Sequence, residues 1–187
     1  MIDVGFDRLT RERAMIRGWP KRWALSFATT FGAITLASAA VAAGTGCDAG
    51  KWPLSAVRTH FSGTLPGVAN GESLPALGQA VLVTLAPQAD AQLPHAPSRP
   101  PKISPSFAGA VKLGPEPSAT YQVSVSAGAW VDLVENGDIV KQTGFVRRRD
   151  CDGVDKSIRF KTAGGPLVIQ ISGSAAKTIK VEAARAE

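Results

Sequence analysis

The densest group of charged side chains in the sequence lies between residues 147 and 155. It begins with three consecutive arginines, Arg147, Arg148 and Arg149. Guanidinium groups form paired hydrogen bonds with phosphate and carboxylate, so these arginines are a candidate anion-binding site. The alternative is an exposed loop in which the arginines pair with nearby aspartates. Charge runs usually form such solvated surfaces, and we therefore favour the loop.

The second half of this group carries carboxylates on both sides of Gly153, namely Asp150, Asp152 and Asp155. Carboxylate oxygens are preferred ligands of Ca²⁺, so these three residues are a calcium candidate. Their spacing departs from that of an EF-hand loop, and the terminal bidentate Glu is missing. The favoured interpretation is an acidic turn, and no other metal and no cofactor is predicted.

No catalytic constellation emerges from the other polar residues. The chain has two histidines, His60 and His95, which lie in unrelated segments. No serine lies in a Gly-x-Ser-x-Gly motif, and the acidic residues 132, 135 and 138 straddle a turn. An enzyme would need a pocket that brings one of the histidines close to a carboxylate such as Asp132. The sequence therefore favours a protein with no catalytic residues.

The two cysteines, Cys47 and Cys151, predict a disulfide if the chain folds in an oxidising compartment. The loop would contain about 100 residues, for which the chain-entropy model gives roughly 4.7 kcal/mol before strain. A zinc site is the alternative, but it usually needs four ligands, and no histidine lies at a suitable spacing.

The N-terminal residues have the layout of a secretory signal peptide. Arg17, Lys21 and Arg22 precede an uncharged, Ala-rich stretch from Ala24, which ends in the small residues 40–42. We predict cleavage after residue 42 and periplasmic or secreted localisation. Met15 is a plausible true start, because acidic residues are unusual ahead of a signal peptide. An uncleaved transmembrane anchor at 24–43 is the alternative, and a membrane contact is predicted only in that case.

Removal of the predicted signal peptide changes the size and the charge of the chain. It leaves 145 of 187 residues, a typical size for one domain. Six of 21 Lys/Arg and three of 15 Asp/Glu residues lie in the signal peptide, so the net charge falls from +6 to +3. No basic patch interleaved with aromatic residues is present, and nucleic acid is therefore not a predicted partner.

The rest of the chain predicts an all-β protein. Residues 121–126 alternate between apolar and polar side chains, as in a strand with one buried face. Asn136-Gly137 between two apolar runs predicts a tight hairpin. About eight such strands favour an antiparallel β-sandwich, jelly-roll-like in architecture. We expect Trp130 to lie in its core, with a binding face as the alternative.

The organisation around these strands is less regular. A loop-rich segment at 43–78 should pack on the sandwich, which spans 79–187. Six prolines lie between residues 87 and 105, so residues 87–106 should form an extended surface connection. We expect this connection to cross between the two sheets, although proline-rich segments can also bind partners.

Several short pieces of the sequence resemble a family of short, exported, uncharacterised bacterial proteins. The pieces are Cys47 with residues 52–54, and residues 71–77, 121–123, 129–132, 151–157 and 169–173. The C-terminal half is also distantly similar to bacterial pre-peptidase C-terminal domains, which are β-sandwiches. The resemblance implies a sandwich and no particular activity.

Together these observations predict an exported, non-catalytic β-sandwich that binds a ligand or a protein at the cell envelope or has an accessory role there. Two alternatives stay open. A small secreted enzyme would require the pocket described above, and a structural or assembly subunit would show a large apolar surface patch.

Overall fold

The computed structural model describes residues 46–186, and the predicted signal peptide lies outside the described residues. Within this range the chain forms one α-helix, α1 (Ser55–Ser62), after a short 3-10 turn at Gly46–Asp48. The eleven strands of the described range are β1 (Gly67–Val68), β2 (Val81–Thr84), β3 (Ala86–Pro87), β4 (Phe107–Pro117), β5 (Thr120–Val125), β6 (Trp130–Glu135), β7 (Asp138–Val140), β8 (Gln142–Arg147), β9 (Lys156–Lys161), β10 (Gly164–Ser174) and β11 (Thr178–Arg185).

The strands form two sheets that pack as a β-sandwich. One sheet has the order β1-β2-β11-β5-β9-β8 and the other β3-β4-β10-β6-β7. Strand β1 is parallel to β2, and all other pairs of named strands in the described range are antiparallel. Along the described range the chain changes sheet six times, between β2 and β3, β4 and β5, β5 and β6, β7 and β8, β9 and β10, and β10 and β11. The predicted all-β sandwich is confirmed, and eight of its strands have four residues or more.

The apolar side chains of alternate positions meet between the sheets. Tyr121, Val123 and Val125 on β5 are fully buried, and they share one core cluster with the inward side chains of β10. Those partners are Leu167, Ile169 and Ile171. The Tyr121 hydroxyl donates a hydrogen bond to the carbonyl oxygen of Pro117, at 2.8 Å, so the buried ring keeps a partner for its polar atom. Burial raises the pKa of this phenol above its ordinary value.

The hairpin predicted from Asn136-Gly137 joins β6 to β7. Both turn residues have positive φ, 51° at Asn136 and 94° at Gly137, as this turn type requires. Glu135 and Asp138 form the closing pair. After β7 the chain turns at Lys141 into β8, which lies at the edge of the other sheet. The hairpin therefore ends at a corner of the sandwich.

The proline-rich connection differs from the prediction. Residues 88–106, here called the strap, join β3 to β4, which are neighbours in the same sheet. The strap therefore does not cross between the sheets. It passes over the outer face of the five-stranded sheet, where its backbone N–H groups at His95 and Ser98 donate to the side chains of Gln170 and Asp132. These outward polar residues are buried, and the strap supplies partners that a solvated sheet face would not need.

The segment before β1 packs against the outer face of the six-stranded sheet. A second apolar cluster contains Trp52, Leu54, Val57 and Phe61 together with Val146 and Cys151. The Cys47 and Cys151 sulfur atoms lie 1.98 Å apart, with their Cα atoms 4.6 Å apart, so the predicted pair is at disulfide distance. Within residues 46–186, no helix is long and apolar enough to cross a bilayer.

Candidate functional site

A cleft of about 590 Å³ opens at one edge of the sandwich, where the chain changes sheet after β7. Its walls are formed by β6 of one sheet, by β8 and β9 of the other, and by residues 99–103 of the strap. This volume lies within the range of small-molecule sites. The cleft is therefore the candidate site of this protein.

Strand register explains why four of its side chains converge. Phe145 pairs with Ile158 and Arg147 pairs with Lys156 across β8 and β9. Because alternate residues of a strand share a face, these two pairs stand side by side on the inner face of the sheet. Ile158 belongs to the core between the sheets. The cleft is thus an open end of the core. Beside Ile158, the next pair on this face is charged, Arg147 with Lys156.

The strap contributes the opposite wall. Arg99, Lys102 and Ile103 line the cleft, and the Arg99 Cζ atom lies 4.4 Å from the centre of the Trp130 ring. The Lys156 Nζ atom lies 5.5 Å from the same ring. Both distances suit cation–π attraction. Trp130 therefore helps to hold two cations beside the cleft.

The predicted place of Trp130 in the core is wrong. The side chain is half-buried on the outer face of β6, whereas the inward neighbours Val131 and Leu133 fill the core. The Trp130 Nε1–H donates to the Asp132 carboxylate at 2.8 Å and to the Ser98 hydroxyl at 2.7 Å. The apolar residues that surround Trp130 in sequence point to the other face, and the strap provides its cover.

The charge of the cleft is one-sided. Four cationic side chains line it, Arg99, Lys102, Arg147 and Lys156, and its described lining includes no carboxylate. Burial lowers the pKa of Lys156 below its ordinary value, Arg147 lowers it further, and Asp155 and Asp132 act in the opposite direction. The Lys156 Nζ also donates to the carbonyl oxygen of Ala129.

Two carboxylates lie next to the cleft and are already paired. Asp155 accepts hydrogen bonds from the Arg147 guanidinium at 2.9 and 3.1 Å. Asp132 is buried and accepts from the Ser98 hydroxyl as well as from Trp130. A smaller hollow of about 300 Å³ borders Asp132 and shares Arg99 and Trp130 with the cleft.

The three arginines of the sequence candidate separate in the structure. Arg147 is the last residue of β8 and reaches the cleft. Arg148 pairs with Asp150 at 2.7 Å, and Arg149 is exposed; neither lines the cleft. The favoured prediction of local pairing with aspartates thus describes Arg147 and Arg148.

The calcium candidate does not assemble. Asp150 pairs with Arg148 and Asp155 with Arg147, while Asp152 is exposed. A hydrogen bond from its own backbone and the nearby guanidinium lower the pKa of Asp150. Among residues 46–186, no group of three or more His, Cys, Asp or Glu side chains could hold a metal ion.

Neither histidine lines the cleft or the smaller hollow beside Asp132. The His60 Nδ1 atom lies 2.8 Å from the Glu182 carboxylate, where α1 packs on β11. His95 is exposed on the strap, and its Nδ1 bonds to the carbonyl oxygen of Ala96. The hollow that borders Asp132 therefore lacks the histidine that the enzyme alternative requires.

Sequence reasoning missed most of the cleft. Lys156, Arg99, Lys102 and Ile103 were not nominated, because they are distant in sequence and carry no motif. Phe145 was expected to be a core residue, as an aromatic side chain beside a predicted strand, yet it is 56% exposed. If residues 142–147 and 156–161 are both assigned as strands, the alternation of side chains predicts that Phe145 and Arg147 share one face. It likewise predicts that Ile158 and Lys156 share one face. No local signal could have placed the strap opposite them.

The resemblance to exported bacterial proteins and to pre-peptidase C-terminal domains stays a prediction. Comparisons with protein-family models, with curated proteins and with solved structures give no match to this chain.

Proposed function

We propose that this protein is an exported, non-catalytic binding protein of the cell envelope, and that the cleft between the strap and strands β6, β8 and β9 is its binding site. One observation carries the proposal. Within residues 46–186, the exposed large hydrophobic side chains are Ile103, 44% exposed, and Phe145, 56% exposed, and both line this cleft.

This coincidence favours binding because, in most soluble proteins, exposed apolar side chains are scattered singly over the surface. Ile103 comes from the strap and Phe145 from an edge strand, so two independent segments bring apolar surface to one concave place. Four cations border the same place. A concave apolar surface with a few convergent polar groups is the usual form of a small-molecule site.

The signal-peptide layout of residues 1–42 supports export, and the disulfide supports an oxidising compartment. Neither histidine lines the cleft or the hollow beside Asp132, and the Nδ1 atoms of both bond to other groups, which favours binding over the enzyme alternative. A structural or assembly subunit would offer a broad apolar patch, whereas the exposed apolar residues here line a cleft.

The test is retention of ligands by the exported protein. The protein is recovered from the periplasm or medium of cells that express the full chain, immobilised and incubated with envelope extract. Retained small molecules are then identified by mass spectrometry. We expect the wild type to retain a defined set of molecules, and Phe145→Ala to retain at least about tenfold less of each. Burying a phenylalanine side chain contributes about 1.5–3 kcal/mol to the free energy of binding, which the variant loses.

Thr143→Ala is the matched control, since Thr143 is an exposed residue of the same strand that does not line the cleft. It should retain the wild-type set. Equal retention by Phe145→Ala would place binding elsewhere and contradict the proposal, as would wild-type protein that retains nothing. Failure to find the protein outside the cytoplasm would contradict export.

A further inference from the structure

The cleft presents two kinds of surface to a ligand. One is apolar: Ile103 and Phe145 offer apolar surface from opposite walls. Ile158 and Val131, which belong to the core, add further apolar lining. Water in contact with these side chains would be released by an apolar group of matching size. The cleft therefore selects a ligand with an apolar ring or chain.

The second surface is cationic. Arg147 and Lys156 are directly opposed across β8 and β9. Like charges in such a pair repel, and Asp155 neutralises only part of this charge through its ion pair with Arg147. Lys102 and Arg99 approach from the strap, so four cationic side chains line the cleft, beside two carboxylates, Asp155 and Asp132, that are already paired. An anionic group placed here would relieve the repulsion.

From these two surfaces we propose that the ligand is a small amphipathic anion, in which a carboxylate or phosphate is joined to an apolar ring or chain. The anionic group lies between Arg147, Lys156 and Lys102, and the apolar part lies between Ile103 and Phe145. This inference rests on the proposed function. The cleft volume of about 590 Å³ fits a molecule of drug-like size.

The test uses 8-anilinonaphthalene-1-sulfonate, a fluorescent probe with an anionic group on apolar rings. The exported protein is titrated with this probe, which is then displaced by matched competitors. Ring-bearing 2-naphthoate is compared with neutral 2-naphthalenemethanol, and chain-bearing octanoate and octyl phosphate with octanol. We expect each anion to compete at least about tenfold better than its neutral partner, because charge-assisted hydrogen bonds are lost with the charge. Comparison of 2-naphthoate with octanoate distinguishes a ring from a chain, and comparison of octanoate with octyl phosphate distinguishes a carboxylate from a phosphate.

Two variants separate the halves of the site. Phe145→Ala should weaken the probe and all apolar competitors. The double variant Arg147→Gln with Asp155→Asn keeps the net charge and should weaken the anions by about tenfold while leaving the alcohols unchanged. Lys161→Gln, at the far end of β9 and outside the cleft, is the charge control and should behave like the wild type. Thermal unfolding verifies that each variant is folded, and Ile103→Ser replaces Phe145→Ala if the latter is not.

The outcomes distinguish the two proposals. Equal displacement by anions and alcohols, displacement by inorganic phosphate alone as strong as by octyl phosphate, or no effect of the double variant would overturn the amphipathic anion. Binding that still depends on Phe145 in those cases leaves the cleft as the site. Binding that is unaffected by Phe145→Ala and Ile103→Ser would overturn the proposed function as well.

Discussion

At the scale of single residues, Lys156 is the side chain whose chemistry is most altered by the cleft. Burial removes water from its ammonium group, and the guanidinium of Arg147 lies across the β-ladder from it. Both effects favour the neutral amine and together outweigh the carboxylates of Asp155 and Asp132, so the pKa of Lys156 lies below the ordinary value of 10.5. A bound anion would favour the charged ammonium, which couples ligand binding to a proton.

This coupling predicts a pH dependence of affinity. The free protein loses the Lys156 proton at a lower pH than the complex, because the anion raises the pKa of the bound state. The affinity for 2-naphthoate should therefore fall as the pH rises through the lowered pKa of Lys156, before ordinary lysines titrate. Competition titrations from neutral to alkaline pH measure this, with circular dichroism to show that the protein stays folded.

Lys156→Arg provides the control for this prediction. A guanidinium keeps its charge throughout the range, so the variant should retain its affinity at pH values where the wild type has lost it. Parallel decreases in the wild type and the variant would show that a group other than Lys156 is responsible.

At the scale of elements, the strap determines which polar residues can be buried on the outer face of the five-stranded sheet. The Ser98 hydroxyl donates to Asp132 and accepts from Trp130, and its backbone N–H donates to Asp132 at 3.1 Å. Gln170 accepts from the backbone of His95 in the same way. The strap is therefore held by side-chain contacts, and few of its backbone groups belong to a β-ladder.

This arrangement predicts that Ser98→Ala loosens the strap without unfolding the sandwich. A hydrogen bond to a charged group contributes about 1.5–3 kcal/mol, which corresponds to a tenfold or greater increase in the opened population. Trypsin can report this opening at the bond after Lys102, because the bond after Arg99 precedes a proline. We expect faster cleavage there, and a small change in the melting temperature.

Gln92→Ala, which truncates an exposed side chain on the same strap, should be cleaved at the wild-type rate. Unchanged cleavage of Ser98→Ala would show that Asp132 and Trp130 do not hold the strap. Cleavage could also follow unfolding of the whole molecule. Local opening of the strap is shown if cleavage is faster than the rate of global unfolding, extrapolated from measurements in denaturant, allows.

The same elements show which parts of the fold the sequence predicts. The Asn136-Gly137 hairpin and the alternation of β5 depend on near neighbours, and both were predicted correctly. Strand β8 was missed because only Val146 of its residues is buried, which leaves little apolar alternation to recognise. Strand β4 also runs past Gly114, through Pro115 and Pro117, which pair with Pro166 and Gly164 of β10, although proline and glycine are typical of strand ends.

Recognition of the cleft required tertiary information. Arg147 was nominated as one of three arginines, but only the strand residue faces the cleft, and Arg148 turns to Asp150 after the strand ends. Trp130 was misassigned because its apolar neighbours in sequence alternate onto the opposite face. The strap brings Ile103 to Phe145 through contacts that involve residues more than 30 positions away. Such juxtapositions depend on the packing of the whole chain.

At the scale of the described molecule, there are two apolar clusters, and one covalent bridge lies in the second of them. The sandwich core lies between the sheets, and the second cluster lies under α1 on the outer face of the six-stranded sheet. The disulfide connects the 3-10 turn at Gly46–Asp48 to the loop after β8, across 104 residues of sequence. It therefore constrains residues 47–151 when the protein unfolds, whereas β9, β10 and β11 lie outside the closed loop.

This long loop predicts a large effect of the disulfide on stability. Replacing both residues, Cys47→Ser with Cys151→Ser, should lower the free energy of unfolding by about 3–5 kcal/mol, because the unfolded chain regains the entropy that the bridge removed. The denaturant m-value should rise, since an uncrosslinked unfolded chain exposes more surface. Wild-type protein unfolded in a reducing agent is the matched control, because it loses the bond but keeps both side chains. If the double variant is less stable than the reduced wild type, the difference measures the packing of the buried Cys151 side chain. A loss below about 1 kcal/mol on reduction would contradict the loop-entropy argument and place the stability of the molecule in its two apolar clusters.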